Sequence, residues 1–367
     1  MDPVSISVNE KKRRVFNRRR FLHYNGLEEG VLMGHEAMLY EKRADGKVAC
    51  KLCAHRCVIL PSRYGFCEVR RNDDGLLTTL VYGKTIAEQI DPIEKKPLYH
   101  FLPGTRAFSI AAPGCNFRCD FCQNWRISQV TGKERPYLGE DRSPDEIVAR
   151  AKRSGCASIA YTYTEPTIFF EYTYDIARRA KDEGIRNVYV TNGYMTMEAI
   201  EKIGPFLDGA NIDLKSFTDS FYKKFCRGRL APVLKSIRRM RELDIWVEVT
   251  TLVIPGENDS EEELYDIASF ISSVDNDIPW HVSAFHPDYK MMQKEWTPAT
   301  SLKTALDIGR SKGLRHIYTG NDRTTQHTHC PQCGESVIKR NYFELSEMSL
   351  QAGMCPYCRT SLAGVWK

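Results

Sequence analysis

Between residues 107 and 318, short apolar runs alternate with stretches whose apolar positions recur every three or four residues. The runs at 107–112, 157–162, 187–191, 209–214, 246–253, 280–285 and 314–318 predict strands. The stretches near 144–154, 167–183, 196–205, 219–226, 231–243, 260–273 and 299–312 predict helices. Ser143-Pro144-Asp145-Glu146 has a capping residue, a proline at the first helical position and acids in the first turn. Strands alternating with helices imply parallel neighbours joined by crossovers. The pattern therefore predicts an α/β fold, a partial (β/α) TIM-like barrel of six or seven units. Upstream, Leu76–Tyr82 reads as a strand after the Asn72–Gly75 turn, and Asp91–His100 as a proline-bounded connector.

Both ends depart from this alternation. Cys50, Cys53, Cys57 and Cys67 fall too close together for core packing and predict one metal centre. Zinc would be held by four thiolates in a closed structural site, and a four-ligated [4Fe–4S] cluster fits the spacing as well. His55 lies among these cysteines as a surplus, solvated side chain. In the tail, Cys330-Pro331-Gln332-Cys333 and Cys355-Pro356-Tyr357-Cys358 form two C-x2-C knuckles, the spacing of a zinc ribbon, with His327 and His329 as spectators. Four regions follow: a basic arm (1–35), a cysteine-rich module and connector (36–104), the barrel (105–326) and the zinc-ribbon tail (327–367).

Charge narrows the function. Seven of the 52 basic residues and two of the 47 acidic ones lie in residues 1–20, so the body is neutral and gives no case for nucleic-acid binding. Eleven of the 13 cysteines are clustered as ligand sets, which oxidation would destroy, so a reducing cytoplasm is expected. No apolar run is long enough to span a membrane. Asn17-Arg18-Arg19-Arg20-Phe21-Leu22 looks like the start of a twin-arginine signal, but the polar segment after it is no apolar h-region.

The central feature is the stretch from Gly114 to Trp125, where Cys115, Cys119 and Cys122 stand at C-x3-C-x2-C directly after a predicted strand. Soft thiolates select iron–sulfur or zinc. Three ligands on a four-iron cube leave one iron open, whereas a zinc loop would borrow a fourth ligand from elsewhere. The spacing, with Phe121 just before the last cysteine, resembles the signature of the radical S-adenosylmethionine (SAM) enzymes. That resemblance implies a [4Fe–4S] cluster whose open iron chelates SAM, and whose electron cleaves the sulfonium to a 5′-deoxyadenosyl radical.

Barrel enzymes place their chemistry at the C-terminal ends of strands. Here those ends carry Thr162-Tyr163-Thr164-Glu165-Pro166, Thr191-Asn192-Gly193-Tyr194 and the run Asn211–Lys215, whose Asn211, Asp213 and Lys215 share a face. Glu165 is positioned to hold the SAM ammonium; an Asp213–Lys215 pair that satisfies itself is the alternative for that strand. His286 ends the strand at 280–285, while His281 at its start is structural. Cys156 reads as a small buried residue. Cys226 reads the same way, with a hydrogen-atom donor to a substrate radical as the catalytic alternative.

From about residue 48 onward the chain resembles the radical SAM member of the AmmeMemoRadiSam system, a branch related to the activating enzymes of glycyl-radical proteins such as pyruvate formate-lyase. The resemblance rests on Cys53–Cys57, Asp91–Pro97, Gly114–Gln129, Tyr161–Pro166, Asn211–Lys215, Leu252–Asp259 and the ending Gly364-Val365-Trp366. It implies SAM contacts from Thr164, Glu165, Asn192, Asp213, Lys215 and His286. Tyr163-Thr164 replaces two glycines of the activating enzymes, and Val190 stands where they have an aspartate. The implied function is reductive SAM cleavage and hydrogen abstraction from an unidentified small-molecule or protein substrate. A reductant such as ferredoxin or flavodoxin, and other proteins of the AmmeMemo system, are expected as partners. Glycyl-radical activation and a radical RNA methylase are narrower alternatives, and a non-catalytic zinc-ribbon scaffold is the alternative outside enzymes.

Overall fold

A computed structural model of the chain describes residues 34–130, 138–322 and 324–367. The basic arm, except for its last two residues, and the twin-arginine-like segment lie outside them. An eight-stranded sheet forms the centre: β1 (Ala87–Pro92), β2 (Arg106–Ala111), β3 (Ser158–Tyr161), β4 (Arg186–Thr191), β5 (Gly209–Asp213), β6 (Trp246–Val253), β7 (Trp280–Ala284) and β8 (Ile317–Gly320). Spatial order follows chain order from β1 to β8. The seven strands β2–β8 are parallel and largely buried on both faces, which is why they read as continuous apolar runs. β1 is antiparallel to β2, pairing Ala87 with Ala111 and Pro92 with Arg106. The expected connector therefore starts later: Asp91 and Pro92 end an edge strand, where a missing N–H is tolerated, and the chain turns at Ile93–Lys95.

Helices α1 (Pro144–Arg153), α2 (Phe170–Asp182), α3 (Met197–Ile203), α4 (Leu230–Glu242), α5 (Glu261–Val274) and α6 (Ala299–Ser311) connect the strands. Ser143 caps α1 in a full capping box with Glu146. The helix expected at 219–226 is instead a short turn, Asp219–Phe221, running into a π-turn at Tyr222–Cys226. Such bulges replace regular pairing and free carbonyls for other partners.

The cysteine-rich module consists of two small antiparallel sheets over residues 35–79. It is fixed to the barrel by backbone and side-chain bonds. Ala54 N donates to Tyr194 O (3.1 Å), and Thr196 Oγ1 donates to Lys51 O (2.7 Å). A buried ion pair adds to this: Arg70 meets Glu171 of α2, and Glu171 also accepts from Met38 N (2.6 Å). Buried charges persist only when paired and hydrogen-bonded in this way.

The tail folds as a three-stranded antiparallel sheet, Thr328–His329, Ser336–Asn341 and Glu344–Met348. Buried Arg340 joins it to the body by donating to Tyr99 O (2.8 Å) and to Thr328 Oγ1 (3.0 Å), with the Glu94 carboxylate 3.7 Å away. The C-terminal residues return to the same place, where Val365 N donates to His100 O (2.7 Å) and Leu102 N to Val365 O (2.6 Å).

His100 and His316 are both buried at this junction, their rings 4.3 Å apart. His100 Nδ1 donates to Ala363 O (2.9 Å), which leaves Nε2 to accept from Tyr318 OH (2.7 Å) and suits the neutral ring. Burial pulls both pKa values down, His316 to about 4. A histidine held neutral in the fold and charged when unfolded contributes stability above its unfolded pKa near 6.5, and that stability is lost as pH falls towards the folded value. Urea unfolding is expected to weaken by about 1.4 kcal/mol per pH unit for each histidine below about pH 6. His316→Asn should flatten the slope, and an identical urea midpoint at pH 7 and pH 5 contradicts the account.

Candidate active site

The three-cysteine loop leaves the C-terminal end of β2. Gly114 turns the chain at φ +106°, and a Cβ there would lie 2.9 Å from Val69 Cγ1, so both conformation and space require glycine. Cys115, Cys119 and Cys122 follow, before a single helical turn at Trp125–Ser128. The loop is held from several sides. Arg118 N donates to Cys226 O (2.9 Å) and Asp120 N to Phe225 O (3.0 Å), so the π-turn supplies carbonyls to the cluster loop. Arg118 Nη1 donates to Cys115 O (2.7 Å) and Nη2 to Phe66 O (2.8 Å). Phe117 N donates to Cys115 Sγ (3.3 Å), and Ser128 Oγ lies 3.1 Å from Cys122 Sγ.

The chemistry of this donor set fits an iron–sulfur cluster. Burial pushes the Cys115 and Cys122 thiols up, Cys122 to about 11, and hydrogen bonding to Cys226 together with burial does the same for Cys119. Left alone these thiols are protonated; a bound metal deprotonates them outright. A single tetrahedral zinc with bonds of about 2.3 Å needs sulfurs about 3.8 Å apart. Among the described residues, only Cys330, Cys333, Cys355 and Cys358 draw three or more ligand atoms within 4.8 Å of one another. Cys226 is wholly buried with its thiol against Cys119.

Each of the six expected SAM contacts abuts the loop directly or through one neighbour. Thr164 Oγ1 donates to Ala112 O (2.7 Å), bracing the approach to Gly114. Glu165 is only 1% exposed. Its Oε1 accepts from Thr167 N (3.0 Å), Thr167 Oγ1 and Thr191 Oγ1 (2.7 Å), and its Oε2 accepts from Asn192 N (2.8 Å). Burial raises its pKa against those donors. Spare acceptor capacity remains on Oε2, the oxygen left for an ammonium. Asn192 Nδ2 donates to Asn116 Oδ1 (2.7 Å) and lies 3.9 Å from Cys115 Sγ. Lys215 Nζ donates to Asp213 Oδ2 (2.8 Å), so these two do satisfy each other. Burial works against the Lys215 charge, but Asp213, Cys119 and Cys226 outweigh it and hold its pKa well above the ordinary value. His286 Nε2 lies 3.0 Å from Gln123 Nε2, beside Cys122. Of the remaining strand-end residues, Asn211 is committed to Pro97 O and Thr250, and His281 to Glu248 (2.6 Å).

Other residues hold the site without a signal in the cysteine spacing. His55 is not solvated, as expected, but half-buried: its Nε2 lies 2.7 Å from Asn116 O and its ring stacks on Phe66. Asn258 ties the loop after β6 together, donating to Lys215 O (2.7 Å) and Leu252 O (2.8 Å) and accepting from Ile254 N (2.6 Å). Trp125 stacks on Tyr289, and exposed Trp296 packs against His286. Asn258, within Val253-Ile254-Pro255-Gly256-Glu257-Asn258-Asp259, was the most accessible of these from sequence, as a loop side chain that can bond nearby backbone.

A parallel sheet with a buried three-thiol loop at its C-terminal edge defines a radical SAM enzyme, and residues 109–268 match the model of the Radical SAM superfamily. Those residues are a radical SAM domain, the domain of enzymes that use a [4Fe–4S] cluster and SAM. The chain shares a family with an uncharacterized protein of Methanocaldococcus jannaschii, 42% identical over 328 residues and covering 88% of this chain and 97% of that one. The pyruvate formate-lyase-activating enzyme of Streptococcus mutans is 21% identical over 193 residues, 50% of this chain and 72% of that one. A radical SAM methyltransferase structure from Sphaerobacter thermophilus aligns with a TM-score of 0.47 at 18% identity, covering 60% of this chain and 67% of that one.

Glu165→Gln tests the brace between β3 and β4. Glutamine keeps one acceptor oxygen and replaces the other with a donor NH2, so either Asn192 N or the Thr167 and Thr191 donors lose their acceptor, at a cost of about 1–3 kcal/mol. The expected result is a lower unfolding midpoint and SAM affinity weakened at least about tenfold, with iron content retained. Unchanged stability and SAM affinity would show that the carboxylate braces nothing.

Proposed function

We propose that Cys115, Cys119 and Cys122 are the three protein ligands of the [4Fe–4S] cluster and that SAM lies across the strand ends carrying Thr164, Glu165, Asn192, Asp213, Lys215 and His286. Held there and reduced, the cluster would supply the electron that cleaves the SAM sulfonium to methionine and the 5′-deoxyadenosyl radical, which would abstract hydrogen from substrate. The observation that carries this reading is the convergence of those six side chains on one buried three-thiol loop. Glu165 would receive the SAM ammonium on Oε2 while its other oxygen keeps Thr167 and Thr191 in place. Lys215, held charged by Asp213, would face negative charge next to Cys119, and Asn192 would orient Cys115.

A protein substrate is favoured, specifically a glycine-bearing loop of a partner activated as in glycyl-radical enzymes. Two observations support it: relatives named as activating enzymes, and the exposed Trp296 beside His286. Assignment to the AmmeMemoRadiSam branch rests on the motifs quoted above and carries the partners of that system with it. One zinc in the tail is supported by Sγ separations of 3.5 Å (Cys330–Cys358) and 3.7 Å (Cys333–Cys355). A low-potential donor of the ferredoxin or flavodoxin class, acting in a reducing cytoplasm, completes the proposal.

After anaerobic reconstitution, dithionite and SAM should release 5′-deoxyadenosine from the wild type and only background amounts from Cys119→Ala. Wild type releasing none, or Cys119→Ala releasing as much as wild type, defeats the reading.

A further inference from the structure

The four N-terminal cysteines differ in arrangement from the four in the tail. In the tail the sulfurs pair at 3.5 and 3.7 Å, close to the about 3.8 Å that one tetrahedral zinc imposes. Cys50, Cys53, Cys57 and Cys67 instead line a cavity of ≈ 20 Å³, to which Arg70 and Ile168 also contribute. Four sulfurs bound to a single zinc would touch and leave no such space between them. A water needs about 10–15 Å³ and two to four polar partners, and Arg70 is the sole charged group on this lining. The cavity has room for more than one atom and offers little to hold water.

Arg70 points to what belongs there. Its side chain is 1% exposed and lies 3.9 Å from Cys50 Sγ, and its Nε finds no hydrogen-bond partner among the described residues. A buried donor left unpaired beside four thiols suits a sulfur-rich anion that accepts from it. Its Nη2 is paired with Glu171, which holds the guanidinium in place.

We infer that Cys50, Cys53, Cys57 and Cys67 ligate a second iron–sulfur cluster, capped by protein at every iron. Without an open iron it binds neither SAM nor substrate, so its chemistry is one-electron exchange. It lies against the radical loop: a Cβ on Gly114 would be 3.7 Å from Cys67 O and 3.8 Å from Ile168 Cδ1, and Arg118 of the loop donates to Phe66 O. An electron from a low-potential donor thus has a centre next to the loop that needs it. This inference does not depend on SAM cleavage, because the cysteine-lined cavity and the unpaired Arg70 donor carry it.

Iron, acid-labile sulfide and zinc are measured per chain after anaerobic reconstitution, in wild type and in the Cys115→Ala/Cys119→Ala/Cys122→Ala variant. Wild type should hold about eight iron and eight sulfide, and the variant about four of each, with one zinc in both. Reduced wild type should show electron paramagnetic resonance broadened by coupling between two clusters, which disappears when either cysteine set is replaced. Wild type with about four iron and two zinc, or a folded triple variant with zinc and no iron, overturns the second cluster and leaves the radical reading standing. Should the triple variant fail to fold, the wild-type metal ratio decides alone. A variant that keeps its N-terminal iron and still cleaves SAM as wild type does would instead break the radical reading.

Discussion

The structure depends on keeping one tight loop rigid. The segment from Gly114 to Cys122 forms no ladder of its own, so its backbone groups need partners elsewhere. They find them on the π-turn through Cys226 and Phe225, on the turn at Trp125–Ser128 through Ile127, and on the N-terminal module through His55, where the Arg118 side chain also donates to Phe66 O. Asn116 is the shared point: its carbonyl meets His55 and its side chain meets Asn192 at the end of β4. A loop tied to three parts of the chain holds its thiols at fixed separations, which a bridging cluster requires and a flexible loop could not supply.

The elements around it follow from that requirement. Parallel strands β2–β8 bring their C-terminal ends to one edge, so Thr164, Glu165, Asn192, Asp213 and His286 arrive together although they are far apart in sequence. The buried acid Glu165 is costly, and four donors across two loops compensate it. The same logic recurs at Arg70–Glu171 and at Arg340–Glu94, where a buried pair fastens an appended module to the barrel. Both modules thereby become parts of the barrel's support.

Most of this architecture was legible in the chain. Strands β2–β8 fall within three residues of the apolar runs because both faces of a parallel sheet are buried. Edge strand β1 was not, since Ala87-Glu88-Gln89-Ile90-Asp91-Pro92 has neither an apolar run nor clean alternation and is defined by pairing with β2. The cysteine triad declared itself by spacing. His55 did not, because its partner Asn116 is 61 residues away and no local pattern encodes that contact. The N-terminal cysteines announced a metal centre without its identity: one zinc and a four-iron cluster accept the same spacing, and what bears on the choice is the space the folded cysteines enclose.

The central claim is that one iron of the cluster carries no protein ligand and takes the amino and carboxylate groups of SAM. Pulsed electron–nuclear double resonance on the reduced protein, with SAM labelled by nitrogen-15 at the amino group and oxygen-17 at the carboxylate, reads that contact directly. Hyperfine coupling from both labels to the cluster spin is predicted. A cluster signal that shows coupling to neither label, although SAM is bound, would contradict the account.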